Sequence, residues 1–340
     1  LNEILMNYDT SYVAIRVYRW TLIMESLIPD VTDPELPIDP YESHKKGAAS
    51  RFWERSIKFF PKTNDNLTSI VYHYTTLEGF KSIVENSTLW ASNFSYLNDS
   101  SEIWYGKNLL NQLIKEEGYL ESNQYTNETK EITNIFLNFL NGSAYHAYGC
   151  CFSSLNDSLS QWRGYGQGIA IGFDRWALDR QNIDDFRLEK VNYSLSESKS
   201  LVHEIFHAFL TEALQWVGNP DYNNIKLALA SSFCNYIEFT IPMMKDPSFS
   251  DEMEWRLVKF RSTLTPCDQS PEIKFRAKGN LIIPYLELKL SPGGKLPINH
   301  VKVGPTDRMQ SHLLASVSML LAKHGYGDVG VSASTIPFRP

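Results

Sequence analysis

The stretch Asp251–Phe260, DEMEWRLVKF, sets Glu252, Glu254 and Arg256 at alternate positions between large apolar residues. Side chains alternate across a β-strand, so a strand here puts the three charged groups on one face and Met253, Trp255 and Leu257 on the other. This segment therefore reads as part of a sheet, and similar segments recur along the chain. Upstream, LTSIVYHYTT (67–76) is rich in β-branched and aromatic residues. Thr75-Thr76-Leu77-Glu78 then reads as a capping box, opening a helix that turns Leu77, Phe80, Ile83 and Val84 inward. A short strand over 89–92 follows.

Helical periodicity over about 103–117 and 126–141 separates this part from AYGCCFSS (147–154), a small-residue strand. QWRGYGQGIAIGFD (161–174) reads as a turn feeding an alternating strand, and 196–243 as one long helical block ending near Pro242. After DEMEWRLVKF come two more strands, LIIPYLELKL (281–290) and VKVGP (301–305), a helix over 310–324 and a last strand in DVGVSAS (328–334). Strands dispersed between helical insertions predict an α+β domain on a central, mostly antiparallel sheet, not a doubly wound one. Residues 1–65, apolar-periodic and then broken by three prolines in VTDPELPIDPYES, read as an N-terminal helical extension; residues 66–340 form the domain.

Composition narrows the function classes. A 43% hydrophobic, 13% aromatic chain of 340 residues supports a substantial core. A formal net charge of -7 argues against bulk electrostatic binding of nucleic acid. No apolar run reaches the roughly 18 residues of a membrane span, and LNEILMNYDT lacks a basic signal-peptide start. Cys150, Cys151, Cys234 and Cys267 form no CxxC pair, which fits a reducing cytoplasm.

Three groups of residues bear on chemistry. His203-Glu204-Ile205-Phe206-His207 is an HExxH, whose histidines lie one helical turn apart and suit zinc, with Glu204 as general base. Against it, the extended metalloprotease pattern needs Gly and His where this chain has Leu210 and Ala213, and the helix must bury Val202, Ile205, Phe206, Phe209 and Leu210, leaving both histidines at the border. No metal is assigned. His73, between Tyr72 and Tyr74 just before a capped helix, is placed at the mouth of the sheet; Trp162, Arg163 and Tyr165 sit in the turn before a strand. Gly164, Gly166 and Gly168 do not make a GxGxxG, and no strand-to-helix junction surrounds them.

Taken in order, the block from LTSIVYHYTT to SYLNDSSE, then CFSSLNDSLSQWRGYGQGIAIGFD, EMEWRLV, VKVGP and STIPFR resemble the bacterial domain-of-unknown-function family 2971 over about residues 68–340. A weaker, fold-level similarity runs to ADP-ribosyltransferases. That resemblance implies a split sheet and NAD as substrate, with His73 in the first position, Tyr74 and Thr75 lining the nicotinamide side, Trp90 or Ser92 in the second position and Glu254 in the third. Glu254 would then stabilise an oxocarbenium-like centre, Glu252 would orient or deprotonate an acceptor, and Arg256 would pair with Glu254 or bind phosphate. Trp162 and Tyr165 would complete the site. The family type suits a bacterial toxin or phage-defence effector. Two other readings stand beside it: a zinc metallopeptidase through His203, Glu204 and His207, and a non-enzymatic sensing or interaction module whose N-terminal arm docks a protein partner.

Overall fold

The computed structural model describes residues 69–96, 101–142, 147–165, 168–180, 186–260, 271–289, 294–306 and 309–337. The proposed extension over 1–65 lies outside these residues. In chain order the helices are α1 (Leu77–Asn86), α2 (Ser101–Glu116), α3 (Asn127–Gly142), α4 (Leu159–Tyr165), α5 (Arg175–Arg180), α6 (Leu195–Leu214), α7 (Tyr222–Thr240) and α8 (Gln310–Lys323). The strands are β1 (Ile70–Thr75), β2 (Thr88–Asn93), β3 (Ala147–Ser153), β4 (Ile169–Asp174), β5 (Arg187–Lys190), β6 (Glu254–Phe260), β7 (Lys274–Lys278), β8 (Leu281–Lys289), β9 (Ile298–Val303) and β10 (Gly330–Ala333).

Together they make an α+β fold on one ten-stranded sheet, antiparallel between strands except for the β9–β10 pair. The main path runs β10-β9-β4-β1-β3-β2-β8-β7, with β6 on β3 and β5 on β6. All seven residues of β3 pair with β6, so β1 and β2 must share its other edge. They do so at opposite ends: β1 meets β3 at Tyr72↔Ser153, and β2 meets it at Ser92↔Gly149 and Asn93↔Tyr148. The sheet is therefore forked at β3, and Cys150 and Cys151 lie in the crotch.

The register assigns the two faces. Directly opposed residues share a face, so Val71, Phe152, Trp255 and Phe173 look one way and Tyr72, Ser153 and Glu254 the other. The first face carries the main core, where Leu89, Phe152, Trp255, Leu257 and Leu286 pack under Phe80, Ile83 and Val84 of α1 and Val317 and Leu321 of α8. The four helices α2, α3, α6 and α7 pack on one another around a separate aromatic group: Phe136 lies 5.3 Å from Phe206 and 4.8 Å from Phe209, and Phe233 5.5 Å from Phe209. Offset and edge-on ring pairs of this kind add to simple area burial.

Several local expectations change. The cap of α1 is Thr76, whose side chain accepts from the Gly79 amide, one residue later than the capping box predicts; Leu77 is accordingly exposed while Phe80, Ile83 and Val84 are buried. The block over 196–243 is two helices, interrupted where Gly218 adopts φ 87° just before Pro220. The turn before β4 is a short helix, α4. Two strands, β5 and β7, were not foreseen.

Gly168 shows how tightly β1 and β4 approach. A Cβ there would lie 2.1 Å from the Thr75 carbonyl oxygen, a backbone atom that cannot step aside. Gly168→Ala is expected to lower stability by about 1–3 kcal/mol, measured as a shift of the urea unfolding midpoint; an unchanged midpoint would contradict this packing.

Candidate functional site

β6 begins at Glu254, and the residues before it are not strand. Pro247–Glu252 is a 3-10 turn capped by Asp246, and Met253 has the left-handed φ of 46°. Glu252 therefore does not continue the strand's charged face, and Met253 is exposed instead of anchoring the strand to the core. The cause is legible in Lys245-Asp246-Pro247-Ser248, a side-chain cap followed by proline at the first helical position, which outcompetes strand pairing.

The charged groups nevertheless converge. Glu254 and Arg256, two apart on β6, share a face and form a two-point pair: Arg256 Nε donates to Glu254 Oε1 at 2.9 Å and Nη2 to Oε2 at 2.8 Å. Arg256 Nη1 donates to the Pro242 carbonyl at 2.6 Å. Lys245, delivered by the segment that follows α7, donates to Glu254 Oε2 at 3.1 Å and to Glu252 Oε2 at 2.6 Å. Tyr193 accepts from the Glu254 amide at 3.0 Å. Glu254, Arg256 and Lys245 are 5%, 1% and 4% exposed, so these are ions withdrawn from water and the geometry must compensate. Burial pushes the Glu254 pKa up, but the Arg256 guanidinium and its hydrogen bonds, then Lys245 and the Cys151 side chain, outweigh burial and hold the carboxyl below its ordinary value. Glu254 is thus an ionised carboxylate at neutral pH.

Above this network lies a shallow crevice lined by Tyr72, Tyr74, Cys151, Phe152, Gln161, Glu252 and Glu254. Tyr74 is fixed by donating to the Leu155 carbonyl at 2.8 Å and by the edge of Trp162, whose ring centre is 4.7 Å away. Trp162 in turn donates from Nε1 to Asp157 at 2.8 Å. Asp157 also accepts from the Ser334 hydroxyl at 2.6 Å and the Thr335 amide at 2.9 Å, so the C-terminal segment is tied to α4 and Ile336 packs beside Tyr72 and Tyr74.

The sequence-derived residues divide accordingly. Glu252, Glu254, Arg256 and Tyr74 are brought together, and Trp162 supports Tyr74 from behind. His73 is not with them: one residue past Tyr72, it turns toward the opposite face, where its Nδ1 lies 2.9 Å from the Cys151 carbonyl and its ring 5.7 Å from Phe152. That carbonyl lies where β1 has left β3, so the imidazole replaces a strand partner. Burial, reinforced by the charge of Arg276 and opposed by the Cys151 hydrogen bond, lowers the His73 pKa and keeps the ring neutral. Thr75 shares the orientation of His73. Trp90 and Ser92 share the face of Glu254, since Ser92 opposes Gly149 and Gly149 opposes Val258. Gly149 and Ser153 are four positions apart on β3, so Ser92 stands about 13 Å along the sheet from Glu254. The Tyr165 side chain lies outside the described residues.

The HExxH sits on α6 with the predicted residues Val202, Ile205, Phe206, Phe209 and Leu210 buried. The His203 and His207 rings stack 6.0 Å apart, and no cluster of three or more His, Cys, Asp or Glu placed to hold a metal occurs among the described residues. Sequence reasoning did not find Lys245, Tyr193, Gln161 or Asp157.

No helix among the described residues is long and apolar enough to cross a membrane. No curated protein and no solved structure matches the chain, so the ADP-ribosyltransferase likeness gains no support from comparison. A family model described as "Protein of unknown function (DUF2971)" matches residues 161–257, the span from Gln161 on the crevice wall to the Glu254–Arg256 pair.

Proposed function

We propose that the crevice is the site of an ADP-ribosyltransferase-like enzyme that cleaves NAD at its nicotinamide–ribose bond. The observation that carries this reading is Glu254: an ionised carboxylate, anchored at both oxygens, that lines a crevice together with Glu252, Tyr72 and Tyr74. A carboxylate held this firmly does not exchange protons at neutral pH. It suits a fixed negative charge facing a developing oxocarbenium ion as nicotinamide leaves with the bonding electron pair. Water or an acceptor hydroxyl then attacks the ribose carbon, and Glu252 takes its proton.

NAD is expected to raise the melting temperature of the wild type, and nicotinamide release is expected to fall at least a hundredfold in Glu254→Gln, assayed at a temperature where circular dichroism shows this less stable variant still folded. Wild-type protein that neither binds nor cleaves NAD, with water or with protein acceptors, would sink the proposal. The toxin or phage-defence setting goes with this reading and predicts NAD loss in cells expressing the wild type.

A further inference from the structure

A second polar group lies on the same sheet face, on the branch formed by β2, β8 and β7. Arg276 on β7 donates from Nη2 to the Ser92 hydroxyl at 2.8 Å, and Ser92 is almost fully buried. The Arg276 Nε is also buried and has no hydrogen-bond partner. Among the described residues no carboxylate acts on this guanidinium: the titratable groups that influence it are Tyr285 and Cys150. Burial pushes the Cys150 thiol up to about 12, so it supplies no negative charge. Glu287, which lies on the Tyr285 side of β8, is held by Lys274 at 2.7 Å. Arg276 as a whole is only partly buried, so the rest of its fork stays open to an anion.

Beside the guanidinium stands an aromatic platform. Trp90 packs on Tyr285 with ring centres 4.5 Å apart and planes 30° from parallel, yet remains 39% exposed. Arg276 lies 5.8 Å from the Trp90 ring centre. A large, solvent-facing indole fixed from behind by a tyrosine suits stacking of a flat base, and a guanidinium fork suits the oxygens of a phosphate. We propose that Arg276, braced by Ser92, holds a phosphate group of a nucleotide whose base lies on the exposed face of Trp90. This rests on the reading of the crevice only in favouring a nucleotide over other phosphorylated ligands.

The test is calorimetric titration of the full chain with ADP and, separately, with inorganic pyrophosphate. The wild type is expected to bind both. Arg276→Gln is expected to weaken both at least tenfold, and Arg276→Lys, which keeps the charge and loses the fork, to weaken both less. Trp90→Ala is expected to weaken ADP about tenfold while leaving pyrophosphate within twofold. The proposal is overturned if the wild type binds neither at millimolar concentration, if both Arg276 variants bind as the wild type does, or if Trp90→Ala leaves ADP unchanged. Nicotinamide release on the same preparations keeps the two readings apart. Binding lost in Arg276→Gln without NAD cleavage by the wild type supports this subsite and removes the catalytic reading; cleavage with affinities unmoved by Arg276→Gln does the reverse.

Discussion

Replacing Arg256 with methionine is expected to cost about 3–5 kcal/mol of stability, the penalty for removing one partner of a buried ion pair. Methionine occupies the arginine stem but leaves the Glu254 carboxylate without its two-point donor and the Pro242 carbonyl without its hydrogen bond. Lys245 remains, divided between two carboxylates. Urea unfolding reads the loss, and replacing both Glu254→Leu and Arg256→Met is expected to recover much of it, because an apolar pair of similar volume no longer strands a charge. The same measurement against pH fixes the sign. The folded pKa of Glu254 is depressed, so its contribution is present above the ordinary carboxyl value of 4.5 and is lost as pH falls through the folded value. That acid dependence is expected to shrink in Arg256→Met. An Arg256→Met protein as stable as the wild type would show that the pair adds nothing to the fold.

The second large effect is expected at Asp157. Asp157→Ala removes the acceptor shared by Trp162, Ser334 and Thr335, with the Lys302 ammonium 3.7 Å away. Burial opposes ionisation here, but the hydrogen bonds from Ser334, Thr335 and Trp162, together with Lys302, hold the carboxyl below its ordinary pKa, so a charged acceptor is lost. Single hydrogen bonds to charged groups contribute about 1.5–3 kcal/mol each without adding fully, so a total near 3 kcal/mol is expected. The local consequence is distinctive: the segment over 334–337 loses its tie to α4, and the Thr335 and Ile336 amides, which donate to Asp157 and to the Ser334 hydroxyl, are expected to exchange hydrogen at least tenfold faster in Asp157→Ala than in the wild type. Equal exchange in both would refute the latch.

What the sequence made legible follows from the range of each interaction. The buried stripe of α6 and the β-branched run of β1 were readable because a periodic pattern is local. The alternation in EWRL also located the Glu254–Arg256 face correctly. It overran at Met253 and Glu252, where a capped turn prevailed over the two-residue period, and the helical periodicity ran through Gly218 for the same reason. β7 escaped because KFRAK is short and exposed at four of its five positions, so its alternation of charged and apolar residues marks no buried face. His73 was placed wrongly because its orientation depends on where β1 leaves β3, a fact of pairing and not of its own neighbours. Lys245 and Asp157 act through partners that no local pattern connects to them.

The fork at β3 bears on how the chain is made. Ala147–Ser153 completes one edge only with Glu254–Phe260, about a hundred residues later. At ribosomal rates of ~5–20 residues per second, the small apolar strand with its adjacent cysteines waits on the order of 5–20 seconds with that edge unpaired. Folding of the sheet is therefore bound to late synthesis, and a nascent chain halted before residue 254 presents an open β-edge that a chaperone must cover.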